Sequence, residues 1–243
     1  MSSFLRDVRE TFVPLPGARH GPLPPLLVGL TVVTGLVDAF SYLVLGHVFV
    51  ANMTGNVVFL GFALVGAPGF SIAASVVALA SFWFGALVGG RVGVRFGQHR
   101  GRHLTTAVSI QAGFVALALV LAAVSGTPVT AGFRYPLILC LALAMGVQNA
   151  TARKLAVPDL TTTVLTLTMT GIAVESTAAG GRASSNGRRS VSVAAMIAGA
   201  VLGAVFVLHV AMVLPLVTVL VLLLAIVVTG RVVSRTDAPW VHP

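Results

Sequence analysis

Asp38 is the residue whose position carries the most chemical information, because it lies twelve residues into the apolar stretch that opens at Leu26. An ionised carboxylate at the centre of a bilayer costs about 2.5–3.5 kcal/mol on insertion scales, so such a residue usually faces protein or a water-lined interior. There it can bind an ion, exchange a proton or bind a polar solute. Tyr42, one helical turn later, is a candidate hydrogen-bond donor to it. The structural alternative is a buried bond from Asp38 to Asn149, Arg134 or a backbone group.

A second group of polar residues precedes a short apolar piece of the chain and consists of Asn52, Thr54 and Asn56. These are helix-capping types, and Gly55 permits unusual backbone, so we expect a helix to begin here. A helix that begins at membrane depth leaves about four free N–H groups and a partial positive charge pointing inward. Such an end can hold an anion or the oxygen of a neutral solute. Alternatively, the amide side chains only tie helices together.

A comparable polar segment lies in the second half, where Thr162, Thr166 and Thr170 recur at four-residue spacing after a Pro-Asp helix-start signal. This spacing predicts one helical face. A shift of 110 positions sets Thr162 opposite Asn52 and Thr166 opposite Asn56. The two polar stripes are therefore predicted to face each other along a pathway. The alternative is that the threonine hydroxyls bond to carbonyls of their own helix.

Internal similarity extends beyond these segments. Gly35-Leu-Val-Asp38-Ala39 recurs as Gly146-Val-Gln-Asn149-Ala150 at a shift of 111 positions. Gly61-Phe-Ala63 recurs as Gly171-Ile-Ala173 at a shift of 110. Gly85-x-x-x-Gly89 recurs as Gly199-x-x-x-Gly203 at a shift of 114. Matches in the same order at nearly one offset predict two homologous halves, 24–125 and 134–232. The spaced glycine pairs, Gly85 with Gly89 and Gly199 with Gly203, follow the pattern that lets helix backbones approach closely, and we expect them to serve helix packing.

The composition requires a membrane environment. Hydrophobic residues make up 57% of the 243 residues, charged residues 9%, and the mean hydropathy is +1.01, whereas a soluble domain carries about 25% charged residues. Stretches long enough to cross about 30 Å of hydrocarbon are 26–46, 70–90, 104–124, 134–152, 190–209 and 212–230. Two further apolar pieces, 54–66 and 161–174, are too short or too polar to be clear crossings.

The arginine and lysine residues favour six crossings over eight. The net charge is +9, but the basic residues lie in short clusters between apolar runs, as topology signals do, rather than in a nucleic-acid-binding surface. Eight crossings would place one strongly basic loop outside. Six crossings place every basic cluster and both termini in the cytoplasm, provided that each short piece enters and leaves the membrane by the same face. Three crossings per half then make the halves inverted repeats, a recurring transporter architecture.

The sequence therefore predicts an all-α polytopic protein of the cell membrane, with six spanning helices, two short or interrupted helices and two inverted repeats. We expect residues 1–23 to be an irregular cytoplasmic segment and 233–243 to be a C-terminal tail. The absence of a P-loop, a nucleophile elbow or a His-Glu-x-x-His motif argues against an enzyme. We expect no cofactor and no metal, and Cys140 alone cannot form an internal disulfide.

The string Phe49-Val-Ala-Asn52-Met53-Thr54-Gly55-Asn56, which follows Gly35-x-x-Asp38-Ala39 and precedes Leu60-Gly61, resembles the YoaK-like family of bacterial integral membrane proteins, a domain of unknown function. The resemblance covers about 24–232. It implies a multi-span fold in the bacterial inner membrane. The family has no settled activity, so the resemblance implies no catalytic or binding residues.

The leading functional hypothesis is a transporter or channel for a small solute, with a polar site near the bilayer midplane. Its lining would comprise Asp38, Tyr42, Asn52, Thr54, Asn56, Asn149, Thr162 and Thr166. The expected partners are the lipid bilayer, a small solute or a proton, and a second copy of the chain in a homo-oligomer, with no nucleic acid. The alternatives are a non-transporting scaffold that binds partners or lipids through Arg91, Arg95, Arg100 and Arg102, and an intramembrane enzyme.

Overall fold

The computed structural model describes residues 3–15, 17–160, 162–163, 165–176, 180, 186–235 and 238–242. Within these residues the regular elements are all helical. They are α1 (Ser3–Phe12), α2 (Leu23–Val44), α3 (Met53–Leu64), α4 (Ile72–Phe96), α5 (Arg100–Ser125), α6 (Ala131–Leu155), α7 (Leu165–Val174), α8 (Asn186–Val205) and α9 (Leu214–Val233). A π-helical turn, Phe206–Val210, extends α8, and a 3₁₀ turn, Pro239–Val241, lies near the C-terminus.

Six of these helices are long and apolar enough to cross a bilayer: α2, α4, α5, α6, α8 with its π-helical extension, and α9. Helices α3 and α7 have only 12 and 10 residues. At 1.5 Å per residue they measure about 18 and 15 Å, well short of about 30 Å of hydrocarbon. The predicted all-α polytopic fold with six long helices and two short apolar helices is confirmed.

The N-terminal segment differs from the prediction, because helix α1 occupies part of the region expected to be irregular. The Thr11 hydroxyl donates to the Asp7 carbonyl at 2.8 Å within this helix, and Pro14 lies beyond its end. The Asp7 carboxylate accepts the Arg188 backbone N–H at 2.8 Å, near the start of α8. An acid beside a helix N-terminus is favourable, so α1 is held to the bundle by this contact.

Helices α2 and α6 lie side by side and run in opposite directions. At one face of the bundle, the Arg134 guanidinium near the start of α6 donates to the Leu45 carbonyl, just after α2, at 2.6 Å. At the other face, Arg100 donates to the carbonyl of Leu155, the last residue of α6, at 2.6 Å, and to that of Arg19, just before α2, at 3.3 Å. We call these the α2-end face and the α6-end face.

The tightest helix crossings are α2 with α8 and α4 with α6, and glycines permit both. A Cβ added at Gly85 would lie 2.2 Å from the Leu143 carbonyl oxygen on α6. A Cβ added at Gly199 would lie 2.2 Å from the Val32 carbonyl oxygen on α2. Gly89 and Gly203, four residues further along, lie at the same two crossings. The structure thus places all four predicted packing glycines where helix backbones approach most closely.

Candidate functional site

Asp38 anchors the chain segment that leads into α3. Its side chain is buried on α2, and Oδ1 accepts the backbone N–H groups of Val50 at 3.1 Å and Ala51 at 2.9 Å. Oδ2 accepts the Asn52 side-chain amide at 2.7 Å. Backbone bonds were one of the structural alternatives that the sequence left open. The carboxylate thus gives the buried N–H groups of this non-helical segment the partner that lipid cannot supply.

These bonds make α3 a re-entrant helix. Asp38 lies six residues before Val44, the end of α2, or about 9 Å below that end at 1.5 Å per residue. The chain turns back after α2, reaches the depth of Asp38, and begins α3 at Met53. Beyond α3, the chain returns to the α2-end face, where the His47 imidazole hydrogen-bonds to the Gly69 carbonyl at 3.2 Å. The N-terminus of α3 therefore points into the bundle.

The polar residues around the start of α3 divide into different roles. Asn52 occupies the N-cap position, but its amide bonds to Asp38 and no side-chain cap forms. Asn56 is fully buried and bonds to both backbone groups of Phe49, accepting its N–H at 2.9 Å and donating to its carbonyl at 2.5 Å. Thr54 is exposed in the first turn of α3. Asp38 and Asn56 thus build the turn, whereas Asn52 and Thr54 line open space.

A similar anchor holds the start of α7. Asn149 lies six residues before Leu155, the end of α6, and its Oδ1 accepts the Thr163 hydroxyl. Its amide donates to the Met145 carbonyl at 3.0 Å. Fourteen residues separate Asn149 from Thr163, as they separate Asp38 from Asn52. In each case, a side chain one and a half turns from a helix end holds the segment before a short helix.

This geometry corrects the predicted threonine stripe. Thr162 cannot share a helical face with Thr166, because it adopts a left-handed φ of +61° and α7 begins only at Leu165. Thr163, one position beyond the predicted Thr162, is the residue that bonds to Asn149, as Asn52 bonds to Asp38. The Thr170 hydroxyl donates to the Thr166 carbonyl at 2.9 Å, the self-bonding alternative considered above.

The starts of α3 and α7 meet at one cavity of about 380 Å³. We call it the central cavity. Residues 51–55 line it on the α3 side and Thr163, Leu165 and Thr166 on the α7 side, with Phe82 from α4 and Asn149 from α6. Of the predicted lining residues, the structure brings Asn52, Thr54, Asn149 and Thr166 to it. Asp38, Tyr42, Asn56 and Thr162 are not among its lining residues.

A larger cavity of about 990 Å³ lies beside the central cavity and shares Phe82 and Asn149 with it. Its remaining lining comes largely from the end of α6, which includes Arg153, from the segment that follows α6, which includes Asp159, and from α7. We call it the vestibule, because these residues belong to the α6-end face. The vestibule and the central cavity therefore adjoin at Phe82 and Asn149, between that face and the paired starts of the short helices.

On the opposite side, aromatic side chains fill the space around α3. Tyr42 does not serve as a donor to Asp38, contrary to the prediction. Its ring stacks on Phe49 with centroids 5.1 Å apart. Phe49 stacks in turn on Phe59 at 5.6 Å, and Phe59 packs against Phe70 at 5.1 Å. The Asp38 oxygens already accept three donors from residues 50–52, so Tyr42 turns toward this aromatic cluster.

Arg189, which lies on α8 and lines the vestibule, bonds to residues on both sides of α7. Its Nε donates to Asp159 Oδ1 at 2.7 Å and its Nη2 to Glu175 Oε1 at 2.8 Å. The hydrogen bond from Arg189 lowers the pKa of Glu175 below its usual value. Arg182, the arginine nearest to Glu175 in the sequence, lies outside the described residues. Arg189 therefore bridges the segment before α7 and the residue just after it.

The sequence did not predict one buried polar network. The Gln148 amide donates to the Thr34 hydroxyl at 2.8 Å and to the Leu30 carbonyl at 3.1 Å, and Gln111 donates to Gln148 Oε1 at 2.7 Å. These bonds join α2, α5 and α6 in the bundle interior. The available signal was the presence of glutamines inside apolar runs, where an amide without a partner is costly.

The fold and this site define a polytopic α-helical membrane protein with two short helices that turn back into the bundle. The chain belongs to the family described as "Protein of unknown function (DUF1275)", whose pattern matches residues 26–229. It is also 34% identical over 152 residues to the UPF0700 transmembrane protein YoaK of Bacillus subtilis (strain 168). That similarity covers 60% of this chain and 64% of the relative, slightly less than two thirds of its length. No solved structure matches.

Proposed function

We propose that this protein is a transporter or channel for a small polar solute, which binds in the central cavity. One observation carries the proposal: the N-termini of α3 and α7, which come from opposite faces, meet at that cavity. Non-helical backbone at membrane depth is tolerated where it is buried in protein or lines a water-filled cavity. Paired broken helices with inward-pointing N-termini are the usual way in which transporters form a midplane site.

The same proposal includes two inverted repeats, 24–125 and 134–232. Equivalent contacts support it: a Cβ added at Gly35 would meet the Met196 carbonyl oxygen at 2.4 Å, and one added at Gly146 would meet that of Phe82 at 2.1 Å. Gly146 lies 111 positions after Gly35, and Met196 lies 114 positions after Phe82. These shifts of 111 and 114 positions are the same as those of the sequence matches that begin at Gly35 and Gly85. The antiparallel course of α2 and α6 agrees with an inverted relation between the halves.

The α6-end face is the cytoplasmic face in this proposal. Three helices end at this face, α4, α6 and α9, and two begin there, α5 and α8. In or next to these helix ends lie the basic residues Arg95, Arg100, Arg102, Arg153, Lys154, Arg188, Arg189, Arg231 and Arg235. Basic residues near helix ends mark the cytoplasmic side. The vestibule then opens to the cytoplasm, and the aromatic cluster closes the path to the outside. In alternating access, the two repeats rock to exchange these roles.

Chemically, the central cavity suits an uncharged or anionic polar solute. Asn52, Thr54, Asn149 and Thr166 offer amide and hydroxyl groups, and the first N–H groups of α3 add donors. Asp38 acts through the turn: when protonated, its carboxyl loses acceptor strength for the three donors of residues 50–52. Weaker bonds would loosen the start of α3, and this would couple a proton to movement of the solute.

Cysteine accessibility tests the path. In a Cys140→Ala background, Thr54→Cys and Thr166→Cys are placed in the central cavity, and Val120→Cys is a control on an exposed, apolar part of α5. A charged, membrane-impermeant thiol reagent applied at the cytoplasmic face should label both cavity positions and spare Val120→Cys. If Thr166→Cys reacts no faster than Val120→Cys, no aqueous path reaches the site and transport is rejected.

Two further positions test sidedness with the same reagent. Pro68→Cys, in the loop between α3 and α4, should react only from outside, and Arg235→Cys, after α9, only from the cytoplasm. Reaction of both from one side would contradict the six-crossing topology.

Uptake into reconstituted vesicles tests the function directly. A panel of labelled polar solutes is compared for the wild type, Asp38→Asn and the control Asp7→Asn, which removes an acid that lines neither the central cavity nor the vestibule. At least one solute should enter faster than into protein-free vesicles, and Asp38→Asn should abolish that uptake or its pH dependence. Uptake equal to that of empty vesicles across the panel would favour the scaffold alternative.

A further inference from the structure

A separate cavity of about 690 Å³ lies on the α6-end face, between α4, α5, the end of α6 and the residues that precede α2. We call it the basic cavity. Its basic lining consists of Arg19, His20, Arg100, His103, Lys154 and His242. It has only Ala156 in common with the vestibule. None of the described lining residues is a carboxylate, and Asp237 lies outside the described residues.

Arg100 is the buried cation of this cavity, since only 8% of its surface is exposed. Its guanidinium donates to the Leu155 carbonyl at 2.6 Å and approaches His20 Nδ1 at 3.2 Å, but its partners among the described residues include no carboxylate. A buried charge without a counter-charge is costly. Burial and then the charge of Arg100 lower the pKa of His20. Neither Arg19, Arg100 nor Lys154 forms an ion pair with a described residue, so these positive charges receive no paired counter-charge from that part of the chain.

His103 supplies a second, independent indication. Its ring is 1% exposed, and Nε2 has no hydrogen-bond partner within the described part of the chain. The neighbouring position on α4 is Gly93, where an added Cβ would lie 3.3 Å from that nitrogen. Buried polar atoms in native proteins are nearly always paired, and each exception needs an explanation. His103 lines this cavity, so its unpaired nitrogen is a second indication of a ligand there.

Helix α5 adds a further donor to the cavity, because it begins at Arg100, inside the lining. His99 Nδ1 accepts the Arg102 backbone N–H at 3.2 Å, so one of the free donors is capped. The partial positive charge of the helix start remains directed at the same space. A guanidinium, an ammonium, imidazoles and a helix N-terminus together are the groups that bind phosphate.

We propose that the basic cavity binds a phosphate-bearing anion, drawn either from soluble phosphorylated compounds or from the headgroups of anionic phospholipids. The volume exceeds what one phosphate ion needs, so the cavity also has room for an organic body next to the phosphate. This site is independent of the central cavity and of the transport proposal. It stands whether or not the protein moves a solute.

Binding to the purified full-length protein tests the proposal in two arms. In the first, sn-glycerol 3-phosphate and sodium pyrophosphate are titrated by calorimetry in neutral detergent at fixed ionic strength. In the second, nanodiscs of phosphatidylcholine with or without phosphatidylglycerol are compared by native mass spectrometry for lipids that stay bound. Saturable binding in the first arm identifies a soluble ligand, and selective retention of phosphatidylglycerol identifies a lipid.

Variants at exposed basic residues separate this site from general attraction of anions. Arg19→Gln and Lys154→Gln each remove one lining charge, whereas Arg102→Gln removes a nearby exposed charge outside the lining. Loss of one charged hydrogen bond should weaken binding about tenfold for the two lining variants, and Arg102→Gln should bind like the wild type. No saturable binding in either arm would overturn the proposal, as would equal weakening by Arg102→Gln.

Discussion

Replacing Asp38 by alanine and by asparagine separates the structural role of this residue from its charge. In the Ala variant, the buried N–H groups of Val50 and Ala51 lose their acceptor. In the Asn variant, a side-chain oxygen remains in place for both. The amide of Asn52 can rotate to offer its own oxygen to the new NH₂ group. The two variants therefore differ mainly in whether two buried backbone donors keep a partner.

The expected magnitudes follow from those bonds. Each buried donor left without a partner costs about 1–3 kcal/mol, so Asp38→Ala should lower the free energy of unfolding by about 2–6 kcal/mol. The Asn52 amide is left out of this sum, because it lines the central cavity and water can reach it. Asp38→Asn weakens the bonds but also removes the desolvation cost of a buried charge, so its net change should be about 1 kcal/mol or less.

A reversible unfolding titration in detergent measures both free energies, with Tyr42→Phe as a matched control. The Tyr42 ring stacks on Phe49 and its hydroxyl is not a donor to Asp38, so loss of the hydroxyl should leave the stability unchanged. The expected order is wild type, Tyr42→Phe and Asp38→Asn close together, with Asp38→Ala far below. If Asp38→Ala is as stable as Asp38→Asn, the carboxylate does not anchor the turn before α3 and the reasoning fails.

Two other predictions concern packing and charge. Gly85→Ala would drive a methyl group into a carbonyl of α6, so it should destabilise the protein by about 1–3 kcal/mol or more. Gly90→Ala on the same helix meets open space and should be neutral. Thermal unfolding of the two variants tests this prediction, and equal melting temperatures would contradict it. Because Arg189 lowers the pKa of Glu175, their pairing persists above the usual carboxylate pKa and is lost as the pH falls through the lowered value. Glu175→Gln should therefore remove the part of the stability that is lost at acid pH. Denaturant titrations of both proteins from pH 7 to pH 3 would measure this. If the stability of the variant has the same pH dependence as that of the wild type, the Glu175–Arg189 pair is not the origin of that dependence.

The fold was predictable from sequence to the extent that it depends on local composition. Apolar length identified six spanning helices and the two short ones, because the bilayer thickness sets the number of residues required. The capping types at positions 52, 54 and 56 predicted a helix start in that segment, and α3 begins there at Met53, although Asn52 forms no side-chain cap. The Asp38 region was likewise singled out, because an acid inside an apolar run is costly wherever it lies.

The register and the partners were less predictable, because they depend on contacts across the fold. Thr163, not Thr162, bonds to Asn149 at the same separation of fourteen residues as Asn52 from Asp38, so this contact, and not the shift of 110, sets the register. Tyr42 lies one turn from Asp38, yet it joins an aromatic cluster that forms only once α3 has folded back. The pairing of Glu175 with Arg189 depends on how α7 lies against α8.

The sequence by itself determined that this chain is a membrane protein with six helices long enough to cross a bilayer and two apolar segments that are too short, because hydrocarbon thickness sets a length for each segment separately. It also identified Asp38 as a residue with a polar environment. Only the tertiary structure decided what that environment is: the buried N–H groups of residues 50 and 51 and the amide of Asn52. It also created the basic cavity from residues that are distant in the chain, because a cavity exists only between packed helices.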